Sequence, residues 1–279
     1  MTSSFVIGSR GFVGGHLRES FPGSASDEGI DITCPTQVEE AIASIRPRVV
    51  ILLAAISDID RCEQQPELAR QVNTEGAINV ARACERNNLR LICASTGAVF
   101  DGCKQGYRES DPPSPLSVYG QTKAQAEGEL MSILGNVAIV RIPLVIGFAQ
   151  RPGTNSLVDK LLVEFRARRP VAVPTDEFRN PIDLRTLTKT LLYMTDEPAI
   201  AGVFHLGASD CTSRFELARR LALQSGYSAD LVVPGTSDAP GRAPRGKHHF
   251  LISDKAAAAC GIEMPSVDEA IERMLRVPA

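Results

Sequence analysis

Residues 5–17, FVIGSRGFVGGHL, join a short apolar run to a glycine-rich turn and the start of an amphipathic stretch. Gly8, Gly11 and Gly14 follow the apolar run with GxxGxxG spacing. Glycines in this position permit a tight strand-to-helix turn and let the backbone approach a pyrophosphate at the start of the helix. The stretch therefore predicts the first turn of a dinucleotide-binding βαβ unit. A glycine-rich turn without a ligand is the alternative.

Beyond this stretch, short apolar runs continue to alternate with longer amphipathic segments. Buried strands are predicted at residues 5–7, 49–54, 91–94 and 137–142, and helices at 36–45, 67–86 and 116–133. This alternation is typical of a parallel sheet covered on both faces by helices. The predicted fold is α/β, a Rossmann-type doubly wound parallel sheet with a smaller C-terminal α/β substrate-binding part.

The pattern also suggests how the chain is divided. An NAD(P)-binding Rossmann domain is expected over residues 1–148, with 180–207 returning to it, and mainly the substrate-binding part over 149–279. The later segments predict helices at 156–168, 183–194, 213–224 and from 266 onward, strands at 171–173 and 202–206, and a loop at 234–245. Three pairs have the spacing of a capping box: Thr36 with Glu39, Ser213 with Glu216, and Ser266 with Glu269.

Composition narrows the class of protein. The 279 residues carry a formal net charge of −3, with 43% hydrophobic and 23% charged residues, which excludes a disordered or fibrous chain. The near-neutral balance, without a long basic run, argues against nucleic acid as a partner. The apolar stretches are far shorter than the ~20 residues of a membrane span, and the N-terminus lacks the features of a signal peptide. These observations predict a cytoplasmic protein with no membrane partner.

The cysteines and histidines indicate neither a disulfide framework nor a metal site. The seven cysteines are scattered without a CxxC pair, and the four histidines complete no zinc-ligand spacing. We expect reduced thiols that behave as small hydrophobic groups, which also favours the cytoplasm. No metal ligand is predicted.

The choice of dinucleotide depends on the region after the first helix. An NAD-type site usually places a carboxylate about 20 residues beyond the glycine turn, where it holds the ribose hydroxyls. Residues 21–33, FPGSASDEGIDIT, contain no apolar run, so a very short second strand is expected, with Asp27 or Glu28 as candidates. Arg10, inside the glycine turn, is either an exposed loop residue or a bidentate ligand for a 2′-phosphate. NADP(H) is therefore favoured, and NAD(H) is the alternative.

A tyrosine and a lysine follow at helical spacing. In VYGQTK, Tyr119 and Lys123 lie four residues apart, on one face at the start of a predicted helix. An ammonium one turn away lowers the pKa of a phenol, so that the tyrosine can exchange a proton with a substrate carbonyl. Ser95 and Thr96 follow the strand at 91–94, at the end where ligands bind in open α/β sheets. Either hydroxyl can align that carbonyl, or the pair simply forms a turn.

Together these motifs resemble the extended short-chain dehydrogenase/reductase superfamily and, more closely, the dTDP-4-dehydrorhamnose reductase (RmlD-like sugar-nucleotide-binding) family. The resemblance covers nearly the whole chain, through GSRGFVGGHL, GIDIT, LLAAISDIDRCE, PELARQVNTEGAINVA, STGAVFDG, YRESDPPSPLSVYGQTK, RIPLVIG, FHLGASDCTSRFELAR and GRAPRG. It implies Thr96, Tyr119 and Lys123 as catalytic residues. It implies a cofactor site made of Gly8, Arg10, Gly11, Phe12, Val13, Gly14, Asp31, Ile32, Ala54, Ala55, Asn73, Tyr119, Lys123 and Pro143. In this family Asp31 and Ile32 lie beside the adenine, Asn73 supports the active-site loop and Pro143 lies beside the nicotinamide carboxamide.

The same resemblance implies a substrate site with clear departures. Ser95, Thr96, Arg242 and Arg245 are the candidate substrate ligands, with the two arginines at the diphosphate. The family usually has Asp-Tyr after the catalytic threonine, where this chain has Gly97 and Ala98, and an aromatic pair where this chain has Leu144 and Ile146. These changes alter the sugar pocket and leave the redox residues in place.

The expected activity is that of an NAD(P)-dependent oxidoreductase that reduces a 4-keto nucleotide sugar, as in dTDP-rhamnose biosynthesis, with tyrosine as general acid. A nucleotide-sugar epimerase and a non-catalytic cofactor-binding regulatory protein, like the regulatory β subunit of methionine adenosyltransferase, are the alternatives. Dehydratases of the superfamily carry Asp-Glu after the threonine, which Gly97 and Ala98 cannot replace. The predicted partner is a nucleotide-sugar substrate, and the chain is expected to be a monomer or a homodimer.

Overall fold

The structure is a computed structural model that describes residues 4–21, 24–27, 29–151, 154, 156–238 and 241–276. Its strands are β1 (Ser4–Ile7), β2 (Ala25–Ser26), β3 (Val49–Leu52), β4 (Arg90–Thr96), β5 (Ala138–Ile142), β6 (Val145–Ile146), β7 (Val171–Pro174), β8 (Phe178–Arg179), β9 (Ile182–Asp183), β10 (Gly202–His205), β11 (Thr212–Ser213), β12 (Val232–Gly235) and β13 (His248–His249). Its α-helices are α1 (Phe12–Ser20), α2 (Pro35–Ile45), α3 (Ile59–Gln64), α4 (Pro66–Arg70), α5 (Ala77–Arg86), α6 (Val118–Ile133), α7 (Leu157–Arg166), α8 (Leu184–Asp196), α9 (Arg214–Gln224), α10 (Asp254–Cys260) and α11 (Val267–Leu275).

The main sheet has six parallel strands in the order β10-β5-β4-β3-β1-β2. The chain leaves β1 toward β2 on one side and returns to place β3 on the other side, so the strand order reverses between β1 and β3. Loops diverge at such a point and open a crevice at the carboxyl ends of the strands, which is where ligands bind in open α/β sheets. The predicted doubly wound α/β fold is confirmed, including a second strand of only two residues.

Apolar side chains pack on both faces of this sheet and in a separate C-terminal cluster. On one face, α2, α5 and α6 pack on buried residues such as Phe5, Val50 and Leu91. On the other face, α8 and α10 pack on residues such as Ile92 and Val140. The C-terminal cluster is formed by α7, α9 and α11 with β7 and β12. Strands without alternation are buried because helices cover both faces of the sheet.

Helix starts depart from the predicted caps in two places. The helix predicted from Thr36 begins at Pro35, with Cys34 at the N-cap and no side-chain cap bond, because proline is well suited to the first helical position. Ser213 caps α9 by accepting from the Glu216 N–H, but the reciprocal bond is missing because the Glu216 carboxylate binds Arg220. At α11 both bonds of the predicted Ser266–Glu269 capping box are present.

The helix predicted over residues 67–86 is not regular. It consists of α4, a π-helix at Gln71–Gly76 and then α5. The helix predicted over residues 116–133 begins at Val118, because the Ser117 hydroxyl caps α6. The loop predicted at 234–245 is shortened by β12, which ends at Gly235. A π-helix is typical of functional sites, and this one packs against α6.

The seven cysteines are free thiols, and four of them are buried. Within the described ranges, no helix is long and apolar enough to cross a membrane.

Candidate active site

The glycine-rich turn closes tightly against its surroundings. Gly8 has a φ of +95°, and a β-carbon there would lie 2.4 Å from the backbone nitrogen of Ala54. A β-carbon on Gly14 would lie 2.1 Å from the Gly8 carbonyl oxygen, so any side chain at either position would displace the backbone. Helix α1 follows with Gly11 at its N-cap and no capping side chain. The turn therefore presents bare backbone and a helix N-terminus to the crevice, which suits a phosphate group.

Asp27 is turned into this glycine turn. Its carboxylate accepts the N–H groups of Gly8 at 3.0 Å and Ser9 at 2.8 Å, and also the Ser9 hydroxyl. Asp27 is buried, so the carboxylate holds the turn closed and has no free face for ribose hydroxyls. The prediction that Asp27 binds the ribose is therefore wrong in this structure. The other candidate, Glu28, lies outside the described residues.

Arg10 lies on the exposed rim next to the short strand β2. A β-carbon on Gly29 would lie 3.3 Å from a guanidinium nitrogen of Arg10, and Gly29 has a φ of +98°. Glycine tolerates this conformation and leaves room for the guanidinium beside the backbone. The exposed cation thus lies just beyond β2, on the side where a Rossmann fold places the adenosine ribose.

The two residues predicted beside the adenine, Asp31 and Ile32, differ in exposure. Asp31 is exposed, and its carboxylate accepts the backbone N–H of Thr33 at 2.9 Å and its hydroxyl at 2.7 Å. The Ile32 side chain is buried, in contact with the place that a β-carbon on Gly76 would occupy. The side chain of Ile32 therefore belongs to the core, and only its backbone is available to an adenine ring.

Tyr119 and Thr96 meet where β4 ends and α6 begins. Burial raises the pKa of Tyr119 to about 12, and a hydrogen bond to Thr96 opposes that rise. The Thr96 Oγ1 accepts the Ala98 N–H at 3.1 Å. A β-carbon on Gly120 would lie 2.1 Å from the Ala98 carbonyl oxygen. Glycine at position 120 therefore lets α6 approach the Thr96 turn closely enough to bring the two hydroxyl groups together.

Lys123 lies one turn farther along α6 and lines the same cleft. It is only 3% exposed. Within the described part of the chain, its ammonium makes no hydrogen bond or ion pair. Because this ammonium faces the cleft without a protein partner, it is available to polar groups of a ligand.

The Ser95 hydroxyl is not available in the same way. It donates to the Glu127 carboxylate, which also forms a buried ion pair with Arg141 at 2.6 Å. Its hydroxyl proton is therefore committed to Glu127, and its oxygen can only accept a hydrogen bond from a ligand, so a direct contact of Ser95 with substrate stays a prediction. Ser95 lines the cleft with its other atoms.

Asn73, within the π-helix, connects two walls of the site. Its amide oxygen accepts the Ile56 N–H at 2.8 Å, and its amide nitrogen donates to the Ile56 carbonyl at 3.0 Å and to the Thr122 hydroxyl at 3.2 Å. Thr122 in turn donates to the Tyr119 carbonyl at 2.9 Å. Asn73 is buried and does not line the cleft, so it acts on the loop after β3 and on α6.

Arginines gather at the opposite end of the cleft around one carboxylate. Glu177 is fully buried and pairs with Arg242 at 2.6 Å, Arg214 at 3.2 Å and Arg179 at 3.6 Å. Burial lowers the pKa of Arg179 to about 10, against the opposing effect of Glu177. The Arg179 guanidinium also donates to the carbonyls of residues 178, 246 and 247. Arg242 is held by Glu177 and does not line the cleft, so its direct contact with a diphosphate stays a prediction.

Arg245 lines the cleft and joins its two walls. It binds both oxygens of Asp60, at 3.0 and 2.8 Å, and Asp60 also accepts the Ala243 N–H at 2.8 Å. Asp60 lies in α3, on the dinucleotide side, while Arg245 lies in the loop before β13. Arg245 with its hydrogen bonds lowers the pKa of Asp60.

One cleft of about 710 Å³ contains most of these groups. The predicted site residues that line it are Gly8, Gly11, Phe12, Val13, Gly14, Ala55, Ser95, Thr96, Tyr119, Lys123, Pro143 and Arg245. The predicted residues outside its lining are Arg10, Asp31, Ile32, Ala54, Asn73 and Arg242. The cleft therefore reaches from the glycine turn, past the tyrosine and lysine, to the arginines.

The space beside Thr96 is lined in part by residues that depart from the expected pattern. A side pocket of about 70 Å³ opens there, with Ala98, Phe100 and Leu116 among its lining. Leu144 lines the main cleft, whereas Ile146 is fully buried in the C-terminal cluster. Small and aliphatic side chains thus form the wall where the family has larger polar or aromatic ones.

Sequence reasoning missed five charged residues of the site. They are Glu127, Asp60, Glu177, Arg179 and Arg214. Their ion pairs join residues from 14 to 185 positions apart, except for Glu177 with Arg179, whose two-residue spacing indicates no particular site. The available signal was weak: Glu127 follows Lys123 by four residues and so shares its helix face.

Comparison with known proteins adds family evidence. A family model described as the RmlD substrate binding domain matches residues 2–278. The dTDP-4-dehydrorhamnose reductase of Aggregatibacter actinomycetemcomitans is 27% identical over 259 residues, covering 88% of this chain and 86% of that relative. Methionine adenosyltransferase 2 subunit beta of Xenopus laevis is 27% identical over 225 residues, covering 78% of this chain and 66% of that relative. The crystal structure of dTDP-4-dehydrorhamnose reductase from Bacillus anthracis str. Ames in complex with NADP has a TM-score of 0.91 at 26% identity, over 99% of each chain.

Proposed function

The chain belongs to the RmlD substrate binding domain family, and from that premise we propose that it is an NADPH-dependent reductase of a 4-keto nucleotide sugar. The observation that carries the proposal is one cleft lined by the glycine turn, by Thr96, Tyr119 and Lys123, and by Arg245. The glycine turn suits a dinucleotide, the hydroxyl and ammonium groups suit a ketone beside its cofactor, and the arginine suits a diphosphate. The relative from Bacillus anthracis, whose structure contains NADP, supports the choice of cofactor.

The residues present fit a dinucleotide. Gly8 and Gly14 leave a cradle that a β-carbon would fill, at the start of α1. Lys123 supplies an ammonium at the cleft that no described protein group binds, which suits the ribose hydroxyls of a nicotinamide nucleotide. When bound, the reduced nicotinamide would supply the hydride for the keto carbon.

Tyr119 serves as the general acid in this proposal. With a pKa of about 12, its phenol stays protonated near neutral pH, which is the form that a carbonyl reduction needs. The Lys123 ammonium stabilises the phenolate that remains after the proton is transferred. The raised pKa therefore keeps a proton on the phenol before substrate binds, and the lowered pKa expected from Lys123 is not found.

Thr96 aligns the ketone. Its oxygen accepts the Ala98 N–H, and its hydroxyl is hydrogen-bonded to the Tyr119 phenol, so both hydroxyl groups can reach one substrate carbonyl oxygen. A second donor beside the Tyr119 phenol stabilises the negative charge that develops on this oxygen. The two hydroxyl groups together fix which face of the ketone is reduced.

The arginine end holds the diphosphate. Arg245 and Arg214 line the cleft, and planar guanidinium groups bind phosphate oxygens in bidentate fashion. Glu177 neutralises part of this charge and orients Arg214 and Arg242. In this proposal Arg242 does not contact the ligand; it binds Glu177, which in turn orients Arg214.

A cofactor-binding regulatory protein is the second candidate. The methionine adenosyltransferase beta subunit of Xenopus laevis shows a similar level of identity, although this chain spans slightly less than two thirds of its length. The altered wall at Ala98 and Leu144 favours this alternative, and the complete set of Thr96, Tyr119 and Lys123 opposes it. A nucleotide-sugar epimerase would use the same redox residues without net oxidation of the cofactor.

Nicotinamide absorbance during turnover with a panel of keto nucleotide sugars tests the proposal. Steady oxidation of NADPH is expected, and Tyr119→Phe should reduce turnover by about 10²–10⁴-fold while NADPH affinity is retained. Isomerisation without net oxidation would establish the epimerase instead. NADPH binding without turnover of any nucleotide sugar would favour the regulatory protein and refute the reductase.

A further inference from the structure

A buried ion pair lies one helical turn beyond the Lys123 ammonium. Arg141, on β5, binds both oxygens of Glu127 on α6, with its Nε at 3.0 and 3.1 Å and its Nη2 at 2.6 Å. The Ser95 hydroxyl donates to the same carboxylate. Glu127 is 3% exposed and Arg141 is 2% exposed. Three donor groups from two strands therefore occupy the only carboxylate on this face of α6.

Without Arg141, the Glu127 carboxylate would have Lys123 as another possible partner. Lys123 precedes it by four residues on α6, and side chains at this spacing lie side by side on a helix. Burial raises the pKa of the Cys93 thiol on β4, Lys123 lowers it and Glu127 raises it, so both charges act on one buried sulfur atom. Nevertheless the lysine and the glutamate form no ion pair in the described part of the chain, and the carboxylate is bound by Arg141 and Ser95.

We propose that Arg141 is a positioning residue: by binding Glu127, it keeps the Lys123 ammonium free to act on Tyr119 and on the cofactor. Without the guanidinium, the buried Glu127 carboxylate would lose its cation, with the Lys123 ammonium one helical turn away. The pairing of opposite charges in a poorly solvated site is strongly favoured. The ammonium would then turn along the helix toward Glu127 and away from the cleft. This inference rests on the proposed roles of Lys123 and Tyr119.

The other titratable groups around the phenol do not replace this arrangement. The thiols of Cys62 on α3 and Cys93 on β4 both raise the pKa of Tyr119. Burial raises the pKa of Cys62 itself to about 11, so this thiol is neutral near physiological pH. Glu63, also on α3, accepts the Val118 N–H at 2.7 Å and thus binds the start of α6. Lys123 is the cation of α6 that lines the cleft together with Tyr119.

A double-mutant cycle between Arg141 and Lys123 tests the inference without any sugar substrate. The two measurements are NADPH affinity, by nucleotide fluorescence, and the alkaline titration of the Tyr119 phenol in the NADP⁺ complex, by difference from the matching Tyr119→Phe variant. R141Q should weaken NADPH binding roughly tenfold and raise the apparent pKa of the phenol by about one unit. In a Lys123→Met background, R141Q should change neither quantity, because the ammonium that it would misplace is gone.

Equal effects of R141Q in both backgrounds would overturn the inference and reduce Arg141 to a structural residue. If R141Q does not fold, the double variant E127Q/R141Q is used, because removing both partners of a buried pair is better tolerated than removing one. That variant should keep the phenol titration of the wild type, and a raised pKa there would also overturn the inference. Failure of the reductase proposal would appear as absent turnover by the wild type, and the cycle would remain interpretable.

Discussion

Replacement of Arg10 by alanine should selectively weaken binding of NADPH. The guanidinium lies on the exposed rim beside Gly29, just beyond β2. The carboxylate that could hold or repel a ribose substituent, that of Asp27, is turned into the glycine turn and bonded to Gly8 and Ser9. Arg10 is therefore the charged group of the described turn that can reach a 2′-phosphate, and NADH offers it no phosphate at that place.

The size of the effect follows from the exposure of the site. A hydrogen bond to a charged group contributes roughly 1.5–3 kcal/mol, and about 1.4 kcal/mol corresponds to a tenfold change. Water and salt screen an exposed pair, which places this one at the lower end. Arg10→Ala should thus weaken NADPH binding about tenfold and leave NADH binding nearly unchanged. The preference should also decrease as ionic strength increases, because the contact is electrostatic.

Fluorescence titration of both cofactors, in wild type and mutant, measures this preference without knowledge of the sugar. Arg18→Ala is the matched control, because Arg18 is an exposed arginine in the last turn of α1. The control should preserve the preference for NADPH. The reasoning is refuted if the wild type prefers NADH, or if Arg10→Ala leaves the ratio of the two affinities unchanged.

Two further predictions concern packing and pH. Gly120→Ala should destabilise the fold by about 1–3 kcal/mol and reduce turnover, because the new methyl group meets the Ala98 carbonyl. Gly128→Ala, on the open side of the same helix, should instead stabilise the fold by about 0.5–1 kcal/mol. Equal denaturation midpoints for the two variants would contradict this. Burial and then the Arg141 charge lower the pKa of His205 to about 3, so the unfolded chain binds a proton first as the pH falls. The free energy of unfolding should therefore lose about 2 kcal/mol from this histidine between about pH 7 and about pH 5, and a His205→Gln variant with an unchanged pH slope would argue against it.

The elements whose residues interact locally could be predicted from the sequence. The strands, the glycine turn and the helical spacing of Tyr119 and Lys123 depend on patterns within a few residues. The structure contains the strands and the turn, and both side chains line the cleft. The fold class followed because buried runs and amphipathic segments alternate regularly. The π-helix at Gln71–Gly76 could not be predicted, because its residues have ordinary helical propensities and its geometry depends on contacts with α6.

The charged side chains of the site were less accessible to prediction. Asp27 was expected at the ribose, but its register relative to Gly8 is set by the parallel pairing of β1 with β2. Arg242 was expected at the ligand, whereas a carboxylate 65 positions earlier, Glu177, binds it. Such pairings arise only after the sheet and the C-terminal cluster have assembled. The sequence identifies the charges but not which of them neutralise each other.

The order in which the chain builds its apolar clusters has a consequence for how the molecule can be divided. After β5 the chain forms α7 in the C-terminal cluster, returns to the main sheet with α8 and β10, and leaves again for α9. It then returns once more with α10 before ending in α11. A fragment truncated after residue 148 would leave the edge of β5 unpaired and one face of the sheet uncovered, so it would not be an autonomous folding unit. Several connecting segments would also have to bend together for the cleft to open, which disfavours a wide movement about a single hinge.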